Sequence, residues 1–523
     1  MTSGQALARA GIVVSSAFLI SRLLGYVRFV VIGNSGLLPG ELDTFFAAFR
    51  LPDLIFQLVA AGALSSALIP VMAALLVEGE ESHAWRVVST IVNLMLIALS
   101  ALAVILFVLA PVVMRVIAPG FGPVQLETSI ELTRTMLLSP IFLALGAVAT
   151  SVLNSGGRFA ASALAPIVYN LVIIVAALLL VEPFGVEGLA IGVVAGSLGH
   201  LLVQVRPLAR LGFRYTPRID RDDPHARKAL LLMAPRAIGL GASQITFIVV
   251  GALATTVGVG ALSDFNFAFV LLQIPLGVIG IPLGIVVLPT LSRNAAVGHE
   301  VSFASLLTRA LRLLVYVMVP ITAVTIILRQ PVVEMLFGSG RISQPDLDLI
   351  ASTLAFFAVG LTAHALIAVL ARGFYARQDT VTPVLAAIAA VAINCTLAIV
   401  LVGQYGLQGI ALAIAAAAWI EALALLAILH HRLPHFELRG LVRVAIEAVV
   451  GSALAGAVTF LASEWLARAV GVDPGRLALA AEVVLLSLVF GLVYAAISLV
   501  LRIPELPSIV GVMADVLRRP ARS

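Results

Sequence analysis

The stretch Ile12–Ile32, IVVSSAFLISRLLGYVRFVVI, is an apolar run of about 20 residues, the length that crosses a bilayer as a helix. It carries two guanidiniums, Arg22 and Arg28, along with a tyrosine and a few small polar residues. A charge near the bilayer centre costs at least about 2.5 kcal/mol, so it normally faces a protein-lined or watery cavity and marks a transport path. The six-residue separation leaves the two side chains about 120° apart around a helix, as if on neighbouring walls of one cleft. Snorkelling to a headgroup region is the other way to satisfy them, more readily for Arg28 than for the deeper Arg22.

The composition extends this reading to the whole chain. Of 523 residues, 61% are hydrophobic and 11% charged, with a mean hydropathy of +1.13, the profile of a polytopic membrane protein. A single cysteine, Cys395, excludes an intramolecular disulfide and a thiolate metal cluster. The net charge of +5 comes from arginines in short loops, where membrane topology explains them, so no nucleic-acid partner is expected. The first run is too long for a cleaved signal peptide and lacks its small-residue cleavage site, so it is expected to be retained.

Apolar runs punctuated by Gly, Pro and charge predict about fourteen transmembrane helices. They cover 9–33, 44–76, 87–117, 126–153, 160–181, 186–209, 228–257, 263–291, 303–328, 347–374, 380–402, 407–430, 441–465 and 478–501. An even number of spans puts both termini on one side. With the termini inside, 22 of the 32 Lys and Arg fall on inner loops and span ends, 6 on outer ones and 4 within spans. The positive-inside rule then makes both termini cytoplasmic.

The most basic loop, 206–228, divides two halves that echo each other. DTFFAAFRLPDLIFQLVAAGALSSALIP (Asp43–Pro70) and DFNFAFVLLQIPLGVIGIPLGIVVLP (Asp264–Pro289) each open on an acid and a Phe/Ala cluster, and each ends in an aliphatic residue and a proline. Six spans per half preserve orientation, so the expectation is a parallel repeat with the shared site between its lobes. The predicted parts are an N-terminal lobe (1–215), a C-terminal lobe (216–435), an appended helix pair (436–502) and a basic cytoplasmic tail (503–523). A chance likeness between two apolar helices is the alternative.

Six strings then carry a family resemblance: SRLLGYVR (Ser21–Arg28), LDTFFAAFRLPDL (Leu42–Leu54), GALSSALIP (Gly62–Pro70), VLNSGGRFAASALAPIVYN (Val152–Asn170), PLGVIGIPLGIVVLPTLSR (Pro275–Arg293) and VLARGFYARQDTVTP (Val369–Pro383). In that order they resemble the MurJ/MviN family of lipid II flippases, within the multidrug/oligosaccharidyl-lipid/polysaccharide exporter superfamily. The resemblance implies two lobes around a V-shaped cavity. It also implies movement of an undecaprenyl-diphosphate-linked peptidoglycan precursor from the inner to the outer leaflet of the bacterial plasma membrane, for cell-wall synthesis. Ser21, Arg22 and Arg28 match the family's first-span motif and Asp43 matches its acid at the start of span two, so the resemblance implies that these four line the substrate cavity. Guanidinium suits the task, because it makes bidentate, charge-assisted bonds to phosphate.

The chain departs from the family in its cavity charges. Phe29 stands where an acid usually follows the second arginine. LIFQL (Leu54–Leu58) lacks a basic residue, and Ala61 replaces an acid. FAFVLLQI (Phe267–Ile274) lacks the basic residue expected in span eight. Arg50 and Arg236 are candidates to replace the missing cations, with Arg236 expected to serve the second lobe. Glu421, inside span twelve, is a candidate for ion coupling, with sodium, protons or the membrane potential as drivers and no cofactor. Glu447, His200 and His364 fit structural roles better, and Arg377 with Asp379 is expected to pair or cap helix ends.

The resulting expectation is a monomeric, non-enzymatic flippase working by alternating access, in contact with membrane lipids and with cell-wall synthesis machinery as a further partner. A related exporter of another lipid-linked glycan or small molecule is the nearest alternative. A transport-dead scaffold and an enzyme acting on polyprenyl-phosphate sugars are more distant ones; the short outer loops speak against the enzyme.

Overall fold

A computed structural model describes the backbone of residues 3–59, 65–220, 222–470 and 475–507; side chains at 3–15, 59, 65–67, 73, 76, 232–243 and 467–470 lie outside the described set. The described residues form helices and connecting turns, with no strand. In order they are α1 (Ser3–Gly33), α2 (Pro39–Val59), α3 (Ser65–Val77), α4 (Glu81–Ile117), α5 (Pro123–Met136), α6 (Ser139–Ser155), α7 (Phe159–Leu179), α8 (Val181–Phe184), α9 (Val186–Arg210) and α10 (Pro224–Thr255). There follow α11 (Ala261–Pro275), a π-helical turn (Leu276–Gly280), α12 (Ile281–Ala296), α13 (Glu300–Ile327), α14 (Arg329–Phe337), α15 (Gln344–Val359), α16 (Leu361–Ala376), α17 (Val381–Arg432), α18 (Leu438–Val470) and α19 (Arg476–Val500).

Among the described residues the apolar runs are helical, but several are broken. The run 126–153 is split into α5 and α6, and 347–374 into α15 and α16, which bend by 41° at Gly360. A side chain at Gly360 would meet Ala415 Cα at 2.7 Å, so the bend lets two backbones touch. The π turn follows Pro275, whose missing N–H and bulky ring disturb the regular ladder. The 52-residue α17 is broken at Gly406, whose φ of +54° and ψ of −134° are not helical, so the two spans expected at 380–402 and 407–430 stay distinct. Ten helices among the described residues are long and apolar enough to cross a membrane, and the bent α15–α16 pair makes an eleventh.

Two compact units emerge. The first comprises residues 1–263 and 340–342, the second 264–339 and 343–523. The first unit therefore runs past the lobe boundary expected at 215. The reason lies in α10, which packs on α2, α3 and α4 and is pinned there by polar contacts: Gln244 Nε2 donates to Gln57 Oε1 at 3.0 Å.

Within the first unit α7 and α9 pack most intimately. Gly192, Gly196 and Gly199 lie on one face of α9, and the close approach excludes larger side chains. A Cβ at Gly192 would sit 2.5 Å from that of Ala176, and one at Gly196 would sit 3.0 Å from the Tyr169 carbonyl oxygen. Small residues let membrane helices approach closely where no hydrophobic drive separates protein from lipid. Gly192→Leu is expected to destabilise the purified protein by about 1–3 kcal/mol through overpacking. Gly403→Leu, with open space around it, should leave the melting temperature unchanged.

In the second unit α18 and α19 pack against α13. The Tyr316 hydroxyl donates to Ser498 Oγ at 3.0 Å, the Tyr494 hydroxyl donates to the Tyr316 carbonyl at 2.9 Å, and Arg312 pairs with Glu505 at 2.7 Å. The appended pair is thus fixed by buried hydrogen bonds as well as by apolar contact. The tail expected at 503–523 falls mostly on 508–523, outside the described residues.

The two echoing segments also share a structural signature. Phe45 stacks on Phe49 with centroids 6.0 Å apart, and Phe265 stacks on Phe269 at the same separation. Aligning these stacks puts Asp264 opposite Thr44 and Ser263 opposite Asp43, a one-residue shift from the alignment of the acids.

Near the α16–α17 turn Arg377 and Asp379 do not pair with each other; each has a separate ion-pair partner, and Asp379 caps the start of α17, the other role expected of it. Arg377 bonds Glu300 at 2.8 Å, and Asp379 bonds Arg432 at 2.6 Å. Asp379 also accepts from the Thr382 hydroxyl and backbone N–H, and these bonds, with Arg432, hold its carboxyl down at about 2. Glu447 pairs with Arg443 at 2.7 Å, in keeping with a structural role.

Candidate functional site

The polar interior of the first unit is built from α1, α2, α6, α7 and α9. Arg22, one turn before Tyr26 on α1, donates from Nε to the Tyr26 hydroxyl at 3.3 Å, and its guanidinium lies 5.9 Å from the Phe18 ring centroid. It lines a cavity of about 400 Å3 together with Ser21, Thr150, Asn154, Ser162 and Pro166. Ser21 is fixed through its carbonyl, which accepts from Asn170 Nδ2 at 3.3 Å.

Arg28 faces a second cavity, of about 210 Å3, with Pro52, Asp53, Ser139, Tyr169 and His200 on its walls. Its guanidinium lies 5.4 Å from the Phe29 centroid and 5.7 Å from that of Tyr169. Phe29, which departs from the family's acid, therefore supplies a ring face to the arginine in place of a charge. The single cleft expected for Arg22 and Arg28 is resolved within this unit into two cavities that share Pro166.

Asp53 belongs to this site, although its sequence setting marked it only as part of a Leu-Pro-Asp string. It feels both the Arg50 and the Arg28 guanidiniums and accepts from Gln57 Nε2 at 3.1 Å. Gln57 in turn accepts from Gln244, so a polar chain crosses from α10 to the cavity wall. Arg50, one helical turn before Asp53, is half-buried with its guanidinium 5.6 Å from the Phe247 centroid. The signal in the sequence was the i, i+3 spacing of Arg50 and Asp53 inside a span. Arg22 and Arg28 line these walls, and the wall carboxylate Asp53 is offset by Arg50 beside it, which leaves two positive charges uncompensated.

Asp43 is placed differently from its expected position on the cavity wall. It is fully buried, and its two carboxylate oxygens accept from the backbone N–H groups of Gly260 at 2.6 Å and Ser263 at 2.7 Å. It caps the start of α11, where unpaired N–H groups and the helix dipole favour a negative charge. Its role is to hold the start of α2 to the start of α11.

Glu421 is half-buried on α17 and forms no ion pair among the described residues. Arg236 lies on α10, but its side chain falls outside the described residues. His200, expected as a packed polar residue, is 8% exposed and lines the Arg28 cavity.

A family model described as lipid II flippase MurJ matches residues 40–475. A protein from Rhizobium tropici named probable lipid II flippase MurJ is 31% identical over 473 residues, covering 88% of each chain. One from Burkholderia cenocepacia named lipid II flippase MurJ is 28% identical, covering 93% of this chain and 96% of its own. Among solved structures, a lipid II flippase MurJ in an inward closed conformation superposes with a TM-score of 0.78 at 21% identity, over 94% of this chain and 99% of that one. An inward-facing multidrug resistance MATE family transporter superposes with a TM-score of 0.69 at 17% identity, over 79% of this chain and 95% of that one.

Proposed function

The chain belongs to the lipid II flippase MurJ family, and on that premise we propose that it carries an undecaprenyl-diphosphate-linked peptidoglycan precursor from the inner to the outer leaflet of the bacterial inner membrane. The observation that supports this most is the charge balance around the two cavities, where Arg22 and Arg28 line the walls and Arg50 offsets the wall carboxylate Asp53. Two surplus positive charges match the diphosphate of such a lipid. Moving that group through the bilayer requires partners for its charge, because an unpaired buried ion costs several kcal/mol. Arg22 and Arg28 hold the phosphates by charge-assisted hydrogen bonds, while Arg50 balances Asp53. No covalent step is needed. Transport follows from binding that favours one conformation over another, and therefore from a difference in substrate affinity between them.

The test is complementation: expression of this chain in cells depleted of their essential lipid II flippase is expected to restore growth and cell shape. Failure to do so, with the protein present in the membrane, would argue for a different lipid-linked cargo.

Orientation is proposed from the 22-to-6 distribution of Lys and Arg. Glu182→Cys and Gly403→Cys, in a Cys395→Ser background, are expected to react with an impermeant thiol reagent applied to intact cells. Asp222→Cys should react only after permeabilisation, and labelling there in intact cells would reverse the assignment.

A further inference from the structure

Two helix starts meet at the end of the first unit that the arginine distribution assigns to the cytoplasm, that of α4 at Glu81 and that of α10 at Pro224. Asp223 caps α10, its Oδ1 accepting from the N–H groups of His225 at 2.8 Å and Ala226 at 3.0 Å. Its other oxygen, Oδ2, meets His83 Nε2 at 2.6 Å. The second nitrogen of His83, Nδ1, lies 2.8 Å from Glu80 Oε2. His225 brings its Nδ1 to 3.8 Å from Asp223 Oδ1, and that nitrogen is buried with no hydrogen-bond partner among the described residues. The two imidazoles stand almost perpendicular, 87°, with centroids 5.2 Å apart. One nitrogen from each imidazole and one Asp223 oxygen lie within 4.8 Å of one another.

We propose that His83, Asp223 and His225 form a binding site for a divalent transition-metal cation, zinc by its ligand chemistry, clamping α4 to α10. An ordinary imidazole–carboxylate pair accounts for the 2.6 Å contact. It does not account for a second imidazole whose buried, unbonded nitrogen turns toward the same carboxylate. Two imidazoles and one carboxylate suit zinc or its first-row neighbours, whereas magnesium and calcium take oxygen ligands.

The geometry is within reach. Zinc–ligand bonds of about 2.0–2.2 Å in a tetrahedron put ligand atoms about 3.3–3.6 Å apart. The 2.6 Å edge must therefore open by about 1 Å, while the longer edges close by a similar amount. Water completes the fourth position. Glu80 acts as a positioning residue: it accepts from His83 Nδ1–H, fixes the tautomer that leaves Nε2 free for the metal, and raises the basicity of the ring. Without metal, a proton bridges His83 Nε2 and Asp223 Oδ2; the cation takes its place and the proton leaves to solvent. The carboxylates of Glu80 and Asp223 then balance the dication.

The full chain, purified in detergent with any tag removed and stripped with chelator, should bind one equivalent of Zn2+ in competition with a chromophoric chelator. Co2+ in its place should show the visible bands of a four-coordinate site. His83→Ala and His225→Ala should each weaken binding at least 100-fold and abolish the Co2+ bands. Glu80→Gln should weaken it about 10- to 100-fold while preserving the bands. The double variant His430→Ala/His431→Ala, altered elsewhere, should bind as the parent does. His225 is 36% exposed, so its removal should leave elution from a sizing column unchanged and decides the matter if His83→Ala does not fold. Absence of stoichiometric binding by the parent chain, or an unchanged affinity and Co2+ spectrum in His225→Ala, would overturn the site.

Discussion

Arg22→Ala is expected to abolish complementation while leaving the protein in the membrane at the parent's level. Among the described residues the guanidinium forms one side-chain hydrogen bond, to Tyr26 at 3.3 Å, and it otherwise faces a cavity of about 400 Å3. Little of the fold depends on it, so its loss should be felt in the cargo. A charge-assisted hydrogen bond to phosphate contributes about 1.5–3 kcal/mol, and a bidentate pair makes two of them. Arg22→Lys keeps the charge but loses the planar fork, and should restore part of the activity. Full activity of Arg22→Ala would remove this arginine from the transport path.

Asp43→Ala carries the second large effect, for a different reason. The substitution leaves the N–H groups of Gly260 and Ser263 without their carboxylate, in surroundings that exclude water. A buried donor left unsatisfied costs about 1–3 kcal/mol, and two are involved. The melting temperature of the purified protein should fall by several degrees and transport should be lost with it. Asp43→Asn should fall between the two, because an amide offers one acceptor oxygen and turns an NH2 group toward the other donor. A variant of unchanged stability that has nevertheless lost transport would return Asp43 to direct contact with the cargo.

These two residues show which features the chain's own order makes visible. Arg22 and Arg28 stand out because a guanidinium inside an apolar run has few explanations. Asp43 stands out for the same reason, but its partners lie more than 200 positions away on an unremarkable Gly-Ala-Leu-Ser turn. Nothing local separates a carboxylate that caps a distant helix from one that faces a cavity. Asp53 was hidden in the opposite way: Leu-Pro-Asp marks a bend, and only the fold brings that carboxylate against Arg28. His83 and His225 are 142 positions apart, and neither spacing nor local composition pairs them.

The helical spans are legible because hydrophobic length is a local property. Where a span breaks is less so. The bend at Gly360 depends on Ala415 lying against it, and the break within α17 falls on one glycine, Gly406, at a positive φ. The membership of α10 in the first unit rests on Gln244, Gln57, His83 and Asp223, contacts between residues far apart in sequence. An internal repeat suggests a division into halves, whereas side-chain packing decides which unit a helix joins.

The central claim is that arginines of α1 hold the diphosphate, and binding tests it without the complications of growth. Purified protein titrated with an undecaprenyl-diphosphate-linked precursor should bind it, and Arg22→Ala and Arg28→Ala should each weaken binding about 10- to 100-fold. The double variant should show no saturable binding, and undecaprenol, which lacks the phosphates, should not compete. Equal affinity in the parent and the double variant, or competition by undecaprenol as effective as by the precursor, would contradict the account.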